Sequence, residues 1–202
     1  MNKISPSIAG LLCMALCFGA LAADTSSGSD LAFLKQDSGK NATEMNLSLF
    51  SMMDAFGPYS LDVGEAVKFK APKPGWRLYG VQVLGWSEFN DTTETLPPDR
   101  NFLLEVRDKD LHLLYRFADV QNGYFLSSQG PFYGVIEIPP LEVDEEFYVV
   151  FYDRGGMAIM VESDSPTGNS FIFINGEIQP AQFTTKANET VGVNWMIEAV
   201  GR

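Results

Sequence analysis

Cysteine and histidine are both scarce in this chain of 202 residues. The only two cysteines, Cys13 and Cys17, lie in an N-terminal segment that has the features of a cleaved secretory leader. Removal of that leader would leave a protein without disulfides, thiol catalysis, iron–sulfur clusters or cysteine-ligated zinc. His112 is the only histidine, and no Gly-x-Ser-x-Gly sequence is present, which argues against a catalytic zinc site and a Ser-His-Asp hydrolase.

Three features define the leader. Lys3 supplies a positive charge, residues 11–21 form an apolar run, and Ala20-Leu21-Ala22 has the small residues that signal peptidase requires. The pattern predicts a signal peptide over residues 1–22 and a periplasmic, cell-surface or secreted protein. The apolar run is about half the ~20 residues that span a bilayer, so an uncleaved anchor is the alternative interpretation. Neither cysteine follows the small-residue pair that lipoprotein processing needs.

Basic residues are also few. The chain has 14 Lys and Arg against 26 Asp and Glu, a formal net charge of −12. Lys3 is the only charged residue of the predicted leader, so the mature chain is slightly more acidic still. Such a surface repels phosphate backbones and anionic lipid, which argues against nucleic acid as a partner and against membrane insertion after leader cleavage.

The remaining sequence has β-strand rather than helical periodicity. Residues 23–56 are expected to be a flexible segment with one or two short elements, at residues 31–34 and 47–53; the second could equally be a helical turn. Beyond Gly57 the apolar residues alternate, with turn residues between the runs. Nine strands are expected, at residues 66–70, 76–86, 101–108, 111–117, 133–138, 147–152, 157–162, 170–174 and 193–200.

Short strands without a convincing helix predict an all-β fold. We expect residues 57–202 to form an antiparallel, jelly-roll-like β-sandwich of about nine to ten strands. Within it, Tyr79 should share a face with Val81 and Val83, opposite Leu78. Glu105 and Arg107 should lie on the outer face of their strand.

The C-terminal half carries further motifs: Gly156-Met-Ala-Ile-Met-Val-Glu-Ser-Asp164, Gly168-Asn-Ser-Phe171 and Asn194-Trp-Met-Ile-Glu-Ala199. With Gly64-Glu-Ala-Val-Lys-Phe-Lys-Ala-Pro72 upstream, this resembles poorly characterised β-sandwich domains of exported bacterial and archaeal proteins, which close with a D-W-M-I-R-A strand. The resemblance spans roughly residues 60–200 and implies a jelly-roll-like fold without assigned chemistry. Asn194 and Glu198 replace the more usual Asp and Arg.

Aromatic residues in loops are candidates for ligand contact, because sugar-binding sandwiches stack such rings on pyranose faces. Trp86 ends a predicted strand and opens the loop over residues 87–100, and Tyr124 and Phe125 follow another turn. We predict these three as ligand-binding residues, with core packing as the competing interpretation for Trp86. Trp76 and Trp195 lie on strands and are expected in the core.

Oxygen-bearing side chains at neighbouring turns form a weaker candidate site. Asp153, Asp164 and Asn169 flank adjacent predicted strands, and calcium prefers hard oxygen ligands. A calcium site there is a hypothesis, and no other cofactor is expected.

Surface roles are expected for the remaining candidates. His112 is expected to be exposed. Glu142, Asp144, Glu145 and Glu146 are expected to form a solvated turn, although paired carboxylates can also serve glycosidases. Four sequons would be glycosylated in a host with that machinery: Asn41, Asn46, Asn90 and Asn188.

Three functions remain open. The first is an exported, non-catalytic module that binds carbohydrate or another cell-envelope component. The second is a structural or interaction module of the cell surface without a small ligand. The third, a glycoside hydrolase with paired carboxylates, ranks last because the sequence offers no nucleophile motif.

The leader interpretation predicts where the exported chain begins. N-terminal sequencing of protein recovered outside the cytoplasm should start within a residue or two of Ala23, because Ala20-Leu21-Ala22 is the cleavage signal. Recovery of chains that still carry Met1 in a membrane fraction would instead support the uncleaved anchor.

Overall fold

The fold is that of a computed structural model, which describes residues 31–41, 43–88, 92, 93, 95–184 and 188–202. The predicted leader and the Asn90 sequon lie outside the described residues. None of the helices in these ranges has the length and apolar character that crossing a membrane requires.

Strands dominate the described chain. The long strands are β3 (Val63–Lys70), β4 (Arg77–Glu88), β5 (Asn101–Asp108), β6 (Leu113–Val120), β8 (Phe132–Glu142) and β9 (Glu146–Tyr152). The shorter ones are β1 (Ala32–Leu34), β2 (Leu47–Phe50), β7 (Leu126–Ser127), β10 (Ala158–Glu162), β11 (Ser170–Ile174), β12 (Glu177–Pro180), β13 (Gln182–Thr184), β14 (Thr190–Gly192), β15 (Asn194–Trp195) and β16 (Ile197–Gly201). The helices are α1 (Met52–Phe56), a 3-10 helix (Gly57–Asp62) and α2 (Asn122–Phe125).

The strands form two main sheets. One has eight strands, with the path β1-β16-β4-β10-β15 and with β2 paired to β10 and β7 and β8 paired to β4. The other has six strands in the order β12-β11-β3-β9-β5-β6. All pairings are antiparallel except that of β4 with β7, and β13 and β14 form a separate hairpin.

The predicted all-β, antiparallel sandwich is confirmed. Each of the nine expected strands is present, and the count rises to sixteen within the described ranges because short ladders of two to four residues escape a periodicity test. The expected boundary at residue 57 does not divide the fold, since β1 pairs with β16 and β2 pairs with β10. The sequence predicts either a strand or a helical turn over residues 47–53, and the structure has both in succession, since α1 follows β2.

One expected face assignment is wrong. Tyr79 does not share the inner face with Val81 and Val83, because the register of β4 shifts between Leu78 and Gly80. A bulge inserts an extra residue and reverses the alternation beyond it. Leu78 therefore lies in the core with Val81 and Val83, and Tyr79 is only half-buried.

Aromatic rings fill the space between the two sheets. At one end Trp195 packs against Phe50 and Phe183, with ring centroids 5.4 and 5.9 Å away, and its Nε1 donates to the Phe171 carbonyl at 2.7 Å. Trp76 packs against Phe147 at 5.8 Å. Both tryptophans are 1% exposed, which confirms their predicted place in the core.

The outer face of the six-stranded sheet is not solvated as expected. Glu105 is only 1% exposed, and its carboxylate accepts hydrogen bonds from Arg107, Arg116 and the Tyr152 hydroxyl. Burial alone would raise the pKa of Glu105, but these donors outweigh it and lower the pKa. The expectation fails because the alternation within one strand does not reveal these partners, which donate four hydrogen bonds to the Glu105 carboxylate.

A second buried acid lies between the sheets. Glu65 is inaccessible to solvent, and neither of its carboxyl oxygens has a hydrogen-bond partner among the described residues. The carboxylate of Asp153, also inaccessible, accepts the Met52 N–H at 2.7 Å and the Gly155 N–H at 3.1 Å. Burial first, and then the charge of Asp153, raises the pKa of Glu65 well above its ordinary value.

Trp195→Ala should lower the free energy of unfolding by about 3–5 kcal/mol, because it removes a buried ring and leaves a cavity. Trp86→Ala is the matched control and should cost much less, since that ring is half-buried. Denaturant unfolding measures both. Equal midpoints for Trp195→Ala and the unsubstituted protein would contradict the core assignment.

Glu65 makes stability depend on pH. A raised pKa means that folding keeps Glu65 protonated, so its contribution is fully present below the pKa of the unfolded chain and is lost as the pH rises towards the folded pKa. Glu65→Gln, which is always neutral, should gain stability relative to the unsubstituted protein by up to about 1.4 kcal/mol per pH unit above about pH 5. Glu142→Gln, at an exposed position, is the control. A pH-independent difference would refute the assignment.

Candidate functional site

A groove crosses the outer face of the eight-stranded sheet. One row of paired residues forms its floor, running Phe33, Val200, Gly80 and Glu137 across strands β1, β16, β4 and β8. Successive residues of a strand point to opposite faces, so the neighbours Leu34, Ala199 and Ile136 point into the core. Because Gly80 has no side chain, the floor of the groove is lowest in the middle of this row.

The groove has a volume of about 450 Å³ and a mainly apolar lining that includes several polar side chains. Its lining residues are Leu31, Phe33, Tyr79, Gly80, Gln82, Val135, Glu137, Ile138, Val200 and Arg202. Phe33 is 50% exposed and Val135 is 49% exposed, so both offer apolar surface to a ligand.

Tyr79 and Arg202 form one side of the groove as a unit. The Arg202 guanidinium lies 4.9 Å from the centre of the Tyr79 ring, and its Nε donates to the Tyr79 hydroxyl at 3.2 Å. Backbone hydrogen bonds in both directions between Arg77 and Arg202, at 3.0 and 3.1 Å, hold this last residue on β4. The bulge that removes Tyr79 from the core is thus what brings its ring to the groove.

A polar network adjoins the groove in the next row of the sheet. Glu198, paired with Gln82 of the groove, is 3% exposed and receives the Lys35 ammonium at 2.7 Å. The Lys35 Nζ lies 5.9 Å from the Tyr133 ring centre. Burial first, and then the nearby Glu198 carboxylate, raises the pKa of the Tyr133 hydroxyl strongly.

The three predicted ligand aromatics do not form a common surface. Phe125 is fully buried, with its ring 5.9 Å from Phe102 and 5.8 Å from Phe151, so its prediction as a ligand contact is wrong. The residues around it form α2, which turns the ring inwards. Gly85 and Gly134 make room for it, since a Cβ at Gly134 would lie 2.4 Å from the ring.

The other two aromatics have partners inside the protein. Tyr124 packs on Phe102 at 5.2 Å and donates its hydroxyl to Asp119 at 3.0 Å. Trp86 lies within β4, half-buried, and its Nε1 donates to the Ser127 carbonyl at 2.7 Å. Ligand contact by these two partly exposed rings stays a prediction.

The structure does not support the calcium hypothesis. Asp153 is buried and bonded to backbone N–H groups, whereas Asp164 pairs with Lys40 at 3.2 Å and Asn169 donates its amide to Gln36 at 2.8 Å. Asp153 holds the start of α1 and its own turn, whereas Asp164 and Asn169 both bond to the segment over residues 36–46.

Asp108, Asp110 and His112 are a different group, whose ligand atoms lie within 4.8 Å of one another in the hairpin between β5 and β6. His112 is exposed as expected, with Nδ1 3.0 Å from Asp108. Asp108 also accepts the backbone N–H groups of Asp110 and His112, and these bonds shape the turn. The geometry of the hairpin therefore explains why these three side chains lie close together.

The remaining surface expectations hold where the structure describes them. Glu142, Asp144, Glu145 and Glu146 are all exposed, and two of them pair with lysines of β3: Glu145 with Lys70 at 2.8 Å and Glu146 with Lys68 at 3.8 Å. The sequon residues Asn41, Asn46 and Asn188 are exposed.

Sequence reasoning missed the groove because its residues come from four strands that are distant in the chain. Phe33 belongs to a segment expected to be flexible, and Arg202 is the last residue. The exposed aromatic of β1 was the one available signal, since a short alternating strand with Leu31 and Phe33 on one side indicates an apolar surface.

Comparison of the chain with protein-family models, with curated proteins and with solved structures found no match.

Proposed function

We propose that this chain is an exported, non-catalytic β-sandwich protein that binds a carbohydrate of the cell envelope in the groove on its eight-stranded sheet. The observation that carries the proposal is the combination of exposed ring surface with several different hydrogen-bonding groups in one shallow groove. Phe33 offers an aromatic face, and Gln82, Glu137 and Arg202 offer an amide, a carboxylate and a guanidinium.

This combination matches the chemistry of a sugar. A pyranose has apolar C–H faces that pack on aromatic rings and a rim of hydroxyl groups that both donate and accept. Glu137 accepts, Arg202 donates, and the Gln82 amide can do both. A purely apolar ligand would displace water from these three groups without replacing its hydrogen bonds, which costs binding free energy.

The arrangement of the carboxylates favours binding over hydrolysis. Paired-carboxylate glycosidases hold two carboxyl groups about 5–9.5 Å apart on either side of the scissile bond. Among the described residues of the groove and its adjoining row, Glu137 is exposed, whereas Glu198 is buried beneath Lys35 and Tyr133. The predicted leader supports export.

A glycan array probed with the full-length chain, followed by calorimetry on the best neutral oligosaccharide, tests the proposal. Phe33→Ala should weaken binding at least about tenfold, because a central aromatic contact is worth more than 1 kcal/mol. Leu96→Ala is the matched control, since Leu96 is 60% exposed and lies outside the groove.

Three results would count against the proposal. Binding to no glycan would refute it outright. Equal binding by Phe33→Ala and the unsubstituted protein would mean that the binding site lies outside the groove. Loss of binding in Trp86→Ala but not in Phe33→Ala would place the site at the surface that the sequence predicts.

A further inference from the structure

Two arginines that lack a close carboxylate line one open pocket. The pocket has a volume of about 550 Å³ and is lined by Leu61, Asp62, Asp99, Arg100, Asn101 and Arg154. Within the described ranges, seven other lysines and arginines have a carboxylate oxygen within 3.8 Å. Arg154 has only Asp62, with Nη2 4.0 Å from Oδ1, and Arg100 has no described carboxylate within that distance. Both guanidinium groups are therefore available to a negatively charged group.

A hydrogen-bonded turn holds Arg154 at the pocket. Arg154, Gly155 and Gly156 have φ angles of 49°, 74° and 92°, a left-handed conformation that costs free energy at a residue with a side chain. The Asp153 carboxylate stabilises the turn by accepting the Gly155 N–H at 3.1 Å. The Nε of Arg154 is buried and has no hydrogen-bond partner among the described residues. The strained backbone thus presents a side chain that makes no close polar contact within the described protein.

Gln121 ties Arg100 to the same turn. Gln121 is fully buried, its backbone N–H donates to the Arg100 carbonyl at 2.8 Å, and its side-chain amide donates to the Asp153 carbonyl. A Cβ at Gly156 would lie 3.3 Å from the Arg100 Cδ, so the absence of a side chain there lets Arg100 pack against the turn. One buried glutamine and one glycine therefore position both arginines.

The pocket carries both signs of charge and is neutral as a whole, because Asp62 and Asp99 balance the two arginines. Asp99 accepts the Asn122 backbone N–H at 3.3 Å, whereas the Asp62 side chain is 94% exposed. The chain has a net charge of −12, so a ligand with negative charge alone would approach against the field of the protein. A ligand with both charges meets no such opposition and pairs with both kinds of side chain.

We propose that this pocket binds a zwitterionic amino acid, with its carboxylate on Arg100 and Arg154 and its ammonium group on Asp62. Both charged groups of an α-amino acid are attached to one carbon atom, and the 4.0 Å between Arg154 and Asp62 places their counterparts side by side. A planar guanidinium matches a carboxylate through two parallel hydrogen bonds. Leu61, 40% exposed, offers apolar surface to the ligand side chain. The proposal is independent of the groove, which shares no lining residue with this pocket.

Titration of the full-length chain with L-leucine tests the proposal, with NMR of the arginine side-chain N–H signals and calorimetry as readouts. Leucine should bind saturably and shift the signals of Arg100 and Arg154. Two analogues have the same carbon skeleton without one of the charges: 4-methylpentanoate lacks the ammonium group and 3-methylbutylamine lacks the carboxylate. Each should bind at least about tenfold more weakly, because a hydrogen bond to a charged group contributes more than 1 kcal/mol.

Two substitutions at exposed positions separate the roles of the charges. Arg100→Gln should weaken leucine binding at least about tenfold, for the same reason. Arg77→Gln, the same change at an exposed position outside the pocket, is the matched control and should leave binding unchanged. Asp62→Asn should weaken leucine but not 4-methylpentanoate, so that the preference for the zwitterion disappears.

Three results would overturn the proposal. The first is the absence of saturable leucine binding. The second is equal binding of 4-methylpentanoate and leucine by the unsubstituted protein, which would indicate a site for any carboxylate. The third is a loss of leucine binding in Arg77→Gln or Phe33→Ala as large as that in Arg100→Gln, which would place the site outside the pocket.

Discussion

The ion pair between Lys35 and Glu198 joins two segments 163 residues apart, and the candidate site depends on it. Glu198 lies on β16, almost fully buried, and Lys35 directly follows β1. Loss of the lysine, whose side chain is 49% exposed, would leave the nearly buried Glu198 carboxylate without its cation. Because β1 has only three residues, this contact and its ladder to β16 are what fix Phe33 over the groove.

A second set of polar contacts holds the same N-terminal segment. The buried Glu162 carboxylate accepts the Ser38 N–H at 2.9 Å and the Asn194 side-chain amide at 2.8 Å. Asn194 in turn accepts the Thr167 N–H at 2.8 Å. Asn194 belongs to this network and Glu198 to the ion pair with Lys35, so both residues hold the N-terminal segment on the sheet.

The alternation of apolar residues predicts this sandwich well because each long strand has one face on the core. Val81, Val83 and Ile136 illustrate the point, and Trp195 is buried where its strand pattern puts it. The prediction fails where a single residue changes the geometry. The bulge after Leu78 reverses a face, and the short helix α2 turns Phe125 inwards. Neither event leaves a periodic signal.

The groove could not be predicted for a different reason: its shape is a property of register across strands. Phe33, Val200, Gly80 and Glu137 become neighbours only when β1, β16, β4 and β8 are aligned. A shift of one residue in any pair would turn that strand's contribution into the core. The bulge in β4 is therefore decisive, since it determines that Tyr79 reaches the surface beside Arg202.

The balance of charge in the groove agrees with the uncharged ligand proposed above. Arg202 and Glu137 lie in the groove, and Lys35 and Glu198 adjoin it, so the formal charges balance within a chain whose net charge is −12. An anionic ligand would approach an acidic protein against its field, and a cation would find stronger acidic sites elsewhere on the surface. Recognition of the proposed ligand would then rest on ring contacts and directed hydrogen bonds, which are the interactions that a neutral sugar offers.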